Sequence, residues 1–451
     1  MMGRRAFLAL GAAGLLSAGC SGRRSVGKVG AMTVGGGIKW RVDAATGTRW
    51  CVGVPYCGRP VDAAYQTLAV LVPGSLAGDS QASSNAPLVM PVDTGGYAAM
   101  TSPTEADVPT LLEEARPFLD AGMVYVRTGC RGREHGAPAG VVDLKATVRW
   151  LRAHDDEVPG DKDRIFAFGH SGGGAQTALL GASGNSELWA ADLEAIGAEE
   201  ASDAIAGAMC WCPVTSLGVA DAAYEWGMGR FCREGADLKR SLGLAATYPD
   251  YLRELGYSED EYIDLLLDVA TRSLRDWLED HPGQAVDDGW GWVDPDADGG
   301  PRVRDLAGFV RARKRPDKPV PAFDRDDLGS PENLLFGHGG EPLHFDDGFV
   351  DVFGRTQAER IAMYDPLTYL LDAGTAAGAR VDVAPHWRIS SGIMQPDTAL
   401  STEVNLAEAA RRCPGVQDVA FQTVWDQAHV LAERSGTPEQ NVIEWIGACL
   451  G

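Results

Sequence analysis

Short apolar runs recur along the chain with amphipathic stretches between them. Residues 50–56, 66–73, 87–92, 123–126, 165–168, 205–214, 386–390 and 419–424 are apolar over strand length and predict strands. Between and after them, residues 109–121, 141–154, 402–412 and 438–447 place apolar side chains at helical spacing. In residues 141–154 the set Val141, Leu144, Val148 and Leu151 falls on one helix face. Strands alternating with helices of this length predict an α/β chain, with a mostly parallel sheet covered by helices on both faces.

The alternation lapses between residues 220 and 345. That stretch is rich in Asp, Gly, Trp and Arg, with helical patterning around 248–280 and 302–314 and loop-like pieces such as Val286-Asp287-Asp288-Gly289-Trp290. Inserted there, it is expected to lie over the strand ends as a cap. The chain therefore divides into a targeting segment (1–20), a glycine-rich tether (21–40), a first core part (41–219), the cap insertion (220–345) and a second core part (346–451).

The first twenty residues change the picture of where the chain works. Arg4-Arg5-Ala6-Phe7-Leu8 leads an apolar and small-residue run that ends at Cys20. Paired arginines before such a run resemble a twin-arginine export signal, and Leu16-Ser17-Ala18-Gly19-Cys20 resembles a lipoprotein processing site with Cys20 as the lipidated residue. The expectation is an exported protein, either lipid-anchored at the cell surface or secreted. The formal net charge of −23 argues against nucleic acid and anionic membranes as partners. Eight cysteines remain after Cys20, and Cys51 with Cys57 is the expected disulfide if one forms. No cysteine and histidine spacing reads as a metal site, and no cofactor motif is found.

The chemistry centres on Gly169-His170-Ser171-Gly172-Gly173, which follows the strand at 165–168 and precedes an apolar helical run at 175–180. A serine at such a strand–turn–helix apex projects its hydroxyl over the sheet edge, and the Gly172 N–H behind it can stabilise an oxyanion. The turn Gly95-Gly96, after the strand at 87–92, offers the second oxyanion donor in a hydrolase of this plan, or is a tight turn without chemistry. A serine hydroxyl needs a base. His429, between the last strand and last helix, is the candidate; His170 is expected to point elsewhere on its turn. The position where the third member is expected, just past Gly392, holds Gln395, and Asp397 is the nearest carboxylate. Asp426 lies too close to His429 along the loop. Arg127, Arg131 and Arg133 either face an anionic group or serve the structure.

These and other segments resemble the bacterial tannase and tannase-like esterase family. The matching stretches include Val92-Asp93-Thr94-Gly95-Gly96-Tyr97, Arg131-Gly132-Arg133, residues 180–186, Ala223-Tyr224-Glu225-Trp226, Pro321-Ala322-Phe323-Asp324, Ser330-Pro331-Glu332-Asn333, His386-Trp387-Arg388-Ile389 and residues 425–429. The resemblance spans about residues 60–447. It implies an α/β-hydrolase fold, Ser171 as nucleophile and His429 as base. It also implies Lys318, Glu332 and Asp397 as the side chains that grip the hydroxyls of a galloyl ring. Carboxylates accept from vicinal phenols and a lysine donates back. The family's triad aspartate corresponds to Gln395, so Asp397 is left to serve the triad, the ring or both.

The sequence therefore predicts a serine esterase acting on esters of hydroxylated aromatic acids through an acyl-enzyme. Two other readings stay open: a broader carboxylesterase or feruloyl-type esterase, and a degenerate hydrolase that binds phenolics without turnover.

Overall fold

The computed structural model describes residues 37–78, 80–286, 289, 291–371 and 381–451. The export signal, Cys20 and most of the tether lie outside the described residues. The described residues include eleven strands: β1 (Arg41–Val42), β2 (Arg49–Pro55), β3 (Thr67–Val72), β4 (Leu88–Val92), β5 (Val124–Thr128), β6 (Ile165–His170), β7 (Gly207–Trp211), β8 (Val293–Pro295), β9 (Pro301–Val303), β10 (His386–Gly392) and β11 (Asp418–Val424). Nine of them form one sheet in the order β1-β2-β3-β5-β4-β6-β7-β10-β11. The contacts among β1, β2, β3 and β5 are antiparallel; those from β5 through β4, β6, β7 and β10 to β11 are parallel. This is an α/β-hydrolase fold.

β3 and β4 are buried at every position, as expected of strands covered on both faces. The helix Ala139–Ala153 buries Val141, Leu144, Val148 and Leu151 together, so the predicted stripe is a core face. The predicted helical stretch 248–280 is two helices, Tyr248–Glu254 and Glu259–Asp280. Gly256 at φ +87° ends the first. Ser258 starts the second through a capping box with Glu261.

Residues from 220–345 are not a separate core. Trp226, Tyr262, Phe309 and Phe323 join the same buried cluster as Trp387, Ile389 and Leu400. The insertion also holds the loop after β11: the Trp292 and Phe309 rings lie 6.3 and 5.9 Å from that of Trp425, and Arg313 Nη1 stands 3.5 Å from Asp426.

The Cys51–Cys57 disulfide is not formed; both are buried free thiols. Cys51 is held in β2 opposite Val70, whereas Cys57 bridges to Ala198 on a different part of the fold. Burial pushes each thiol up to about 12. Arg131 is structural: its guanidinium bonds both oxygens of the fully buried Asp143, at 2.9 and 2.8 Å. Arg127 pairs with Asp93, and Arg133 donates to the Gly96 carbonyl at 2.5 Å.

Candidate active site

Ser171 sits where β6 gives way to the helix Gly172–Ala182. Its backbone is at φ 59° and ψ −122°, a strained conformation for a residue with a side chain. Hydrogen bonds hold it there: Ser171 N–H donates to Trp211 O at 2.9 Å, and its carbonyl accepts from Ala175 N–H at 2.9 Å. The helix start and the Gly95–Tyr97 turn are in contact. A Cβ on Gly172 would lie 2.6 Å from Tyr97 N and 2.7 Å from Thr94 O; one on Gly173 would lie 2.0 Å from Val92 O. Only glycine permits this approach, and it brings Gly172 beside the backbone of Thr94, Gly96 and Tyr97. Tyr97 ties the turn to the core by donating to Val214 O at 2.7 Å.

His429 lies on the loop after β11, largely buried. Its Nδ1 is 3.1 Å from Gln395 Oε1 and 3.4 Å from Asp397 Oδ2. The Gln395 amide has one chemically sensible orientation. Its oxygen faces the N–H groups of Asp397 and Thr398, at 3.1 and 3.2 Å, while its nitrogen donates to Thr398 Oγ1 and Glu403 Oε1. Flipped, the amide would aim donors at donors and an oxygen at a carboxylate. Nδ1 of His429 therefore carries the proton that Gln395 Oε1 accepts, which leaves Nε2 as the basic nitrogen. Burial, with the positive charges of Lys318 and Lys314, pulls the imidazole down to about 4. His429 is thus neutral and able to accept a proton at neutral pH.

Two buried charges back this arrangement. Glu403, fully buried on the helix Leu400–Arg412, accepts from Gln395, from Thr398 Oγ1 at 2.7 Å and from Ser391 Oγ at 3.3 Å. Lys314, 1% exposed, donates to the Gln395 backbone carbonyl at 2.6 Å. Burial raises the Glu403 carboxyl and lowers the Lys314 ammonium, and each opposes the other's shift by its charge.

The insertion brings in the remaining predicted residues. Lys318 Nζ lies 3.8 Å from Asp397 Oδ1 and 4.2 Å from the centre of the Phe323 ring. Its backbone is fixed by Tyr224, whose hydroxyl oxygen accepts from the N–H groups of Asp317 and Lys318 at 3.1 and 3.2 Å. Glu332, buried on the helix Pro331–Leu335, is raised by burial, while the nearby Lys318 charge acts to lower it. Asp221 holds the loop between them by accepting from the N–H groups of Ala322, Phe323 and Asp324 at 2.6, 2.8 and 3.0 Å.

Solved structures share this arrangement of the chain. The tannase of Lactobacillus plantarum superposes with a TM-score of 0.73 at 27% identity, over 91% of this chain and 98% of that one. The tannase of Fusobacterium nucleatum gives 0.72 at 25% identity, over 90% and 95%. A tannin acyl hydrolase in complex with ethyl gallate gives 0.69 at 28% identity, over 91% and 97%. Residues 76–224 match the BD-FAE family. The chain is similar to the tannases over most of its length and shares their α/β-hydrolase fold. It is a carboxylic ester hydrolase. No curated protein matches it at a significant level.

Within this enzyme the structure brings Lys318, Asp397 and His429 together and joins Gly172 to the Gly95–Tyr97 turn. Asp426 is excluded from the triad position, because it turns to Arg313. His170 does not point away as expected: its ring centre lies 4.6 Å from that of His429. Glu403, Lys314 and Asp221 escaped the sequence reading, as did the role of Tyr224. A signal for Glu403 was present, since it shares one helix face with Leu400, Val404 and Ala407, where a charge is out of place.

Proposed function

We propose that this enzyme hydrolyses esters of hydroxylated aromatic acids, gallate or a near relative, through an acyl-enzyme on Ser171. His429 Nε2 takes the Ser171 proton as Oγ attacks the ester carbonyl, and the Gly172 N–H with the Gly95-Gly96 turn holds the oxyanion. The resulting imidazolium gives its proton to the leaving alcohol. Water, activated by the same histidine, then releases the acid. Asp397 and Glu332 accept from ring hydroxyls and Lys318 donates to a phenol oxygen. These steps call for no cofactor.

The single observation that carries this reading is the meeting of Lys318 and Asp397 beside His429. A cation and a carboxylate next to the base match a ring bearing both donor and acceptor oxygens. The tannin acyl hydrolase complexes with ethyl gallate and with 3,4-dihydroxybenzoate are consistent with it. Residues 220–345 act as the cap that presents Lys318 and Glu332. The N-terminal segment exports the chain and anchors it through Cys20. The BD-FAE match favours a second reading, a broader carboxylesterase.

Hydrolysis of methyl gallate beside methyl benzoate, by wild type and Ser171→Ala, tests the proposal. Gallate turnover that vanishes in Ser171→Ala, with little on benzoate, supports it. Equal rates on the two esters select the broader esterase, and folded wild type that binds gallate without turnover overturns catalysis altogether.

A further inference from the structure

The triad position usually held by an acid is here an amide, yet a carboxylate stands directly behind it. We propose that Glu403 is the positioning acid of this enzyme, acting on His429 through the side-chain amide of Gln395. The inference rests on the Ser171–His429 reading above and concerns the same reaction.

The geometry forms a continuous path. His429 Nδ1–H donates to Gln395 Oε1 at 3.1 Å, and Gln395 Nε2–H donates to Glu403 Oε1. Thr398 and Ser391 also donate to that carboxylate oxygen, at 2.7 and 3.3 Å. Gln395 and Glu403 are both 0% exposed, so solvent does not screen the path. Glu403 fixes the amide orientation and the amide fixes the histidine tautomer; burial raises the Glu403 carboxyl while the Lys314 charge acts to keep it ionised, and in its ionised form it favours the imidazolium formed when Ser171 attacks. Asp397 is the other claimant. Its side chain is 34% exposed and shared with Lys318, so its charge is partly screened and partly spent. It is also the residue left to hold the ring.

The test moves the acid back one station. Glu403→Gln keeps the shape and removes the charge; Gln395→Asp/Glu403→Gln places the acid where tannases carry theirs. Expected is a fall in kcat of about 10- to 100-fold in Glu403→Gln with KM within about twofold, and recovery of most of that loss in the double variant. A purely packing role for Glu403 would not be repaired by a carboxylate elsewhere. Wild-type kcat in Glu403→Gln, or a double variant no better than the single, overturns the proposal. If Glu403→Gln does not fold, Gln395→Asp alone decides. Two adjacent carboxylates in one dry pocket cannot both ionise, so its kcat must gain a pH limb absent from wild type. No such limb counts against Glu403. Turnover that survives Ser171→Ala would instead sink the underlying esterase reading.

A different set of observations concerns metal ions. His170, Cys212 and His429, carried by the ends of β6, β7 and β11, place one ligand atom each within 4.8 Å of one another. Sequence spacing hides this, because the sheet alone assembles it. His170 Nε2 is buried with no hydrogen-bond partner among the described residues. The geometry points to an inhibitory site for a borderline-soft divalent ion such as Zn²⁺, in which the proton of the buried Cys212 thiol passes to a water that the entering ion sheds, and His429 is taken from catalysis. Co²⁺ added to the full enzyme should give a thiolate charge-transfer band, and Zn²⁺ should inhibit turnover reversibly on chelation. Both effects should be lost in Cys212→Ser and weakened at least tenfold in His170→Asn. Absence of the band, or inhibition unchanged in both variants, overturns the site.

Discussion

The Lys318 ammonium, carried by the insertion, stands 3.8 Å from the Asp397 carboxylate, carried by the core. Neither needs the other for the fold, since Lys318 is anchored through its backbone by Tyr224 and Asp397 lies in a turn organised by Gln395. In the proposed function their meeting serves the substrate. Lys318→Met is expected to raise KM for methyl gallate about 10- to 100-fold, the worth of one charged hydrogen bond, and to leave methyl benzoate kinetics nearly unchanged. Steady-state kinetics on the two esters checks this; equal effects on both would remove Lys318 from ring recognition.

The acid limb of the rate profile follows from the buried imidazole. With His429 pulled down to about 4, the neutral base persists far below the usual histidine range. The expected profile of kcat/KM is flat from neutral pH to about 5 and half lost near 4. Lys318 is one of the charges that hold the value down, so Lys318→Met should move the limb upward. A limb near 6.5 in wild type contradicts the burial argument.

Gly172→Ala tests the contact between elbow and turn. Its Cβ would fall 2.6 Å from the Tyr97 amide nitrogen, and that neighbour is backbone. The turn must shift, so turnover should drop by at least about 100-fold, the scale of a lost oxyanion donor. A thermal midpoint lowered by several degrees should accompany it. Turnover near wild type would show that the two segments need not touch.

Stability should fall on acidification for a defined reason. His170 and His429 are each lowered from 6.5 to about 4 in the folded chain, mainly by burial. A depressed histidine binds fewer protons folded than unfolded. Its contribution is complete above about 6.5 and is lost as pH falls toward 4, roughly 3 kcal/mol for one such group. His170→Asn should therefore flatten the decline of the melting temperature between pH 6.5 and 4. A slope unchanged by that substitution would place the acid sensitivity elsewhere.

Much of this was legible in the chain. The Ala139–Ala153 stripe, the strand before Ser171 and the order serine, acid region, histidine all follow from local periodicity and motif, and all belong to the parallel core. What escaped depends on contacts across the sheet. Glu403 lies on a helix that patterning identified, but its partner Gln395 is fixed only once β10 and that helix pack. Lys314 stands in the basic run Arg313-Lys314-Arg315, which carries no sequence signal of burial, yet it is buried against Gln395. Cys51 and Cys57 are near in sequence yet packed apart, because a bulge in β2 and the bridge to Ala198 carry them to different neighbours.

In the proposed function the reacting groups and the gripping groups come from different stretches of chain. Ser171 and His429 belong to sheet termini, whereas Lys318 and Glu332 arrive from residues 220–345, and Lys318 meets the core at Asp397. Such a partition makes selectivity inheritable apart from reactivity. Substitutions along 318–332 can retune which aromatic acid is accepted while the bond-breaking apparatus stays untouched, so divergence among relatives is expected to accumulate there first.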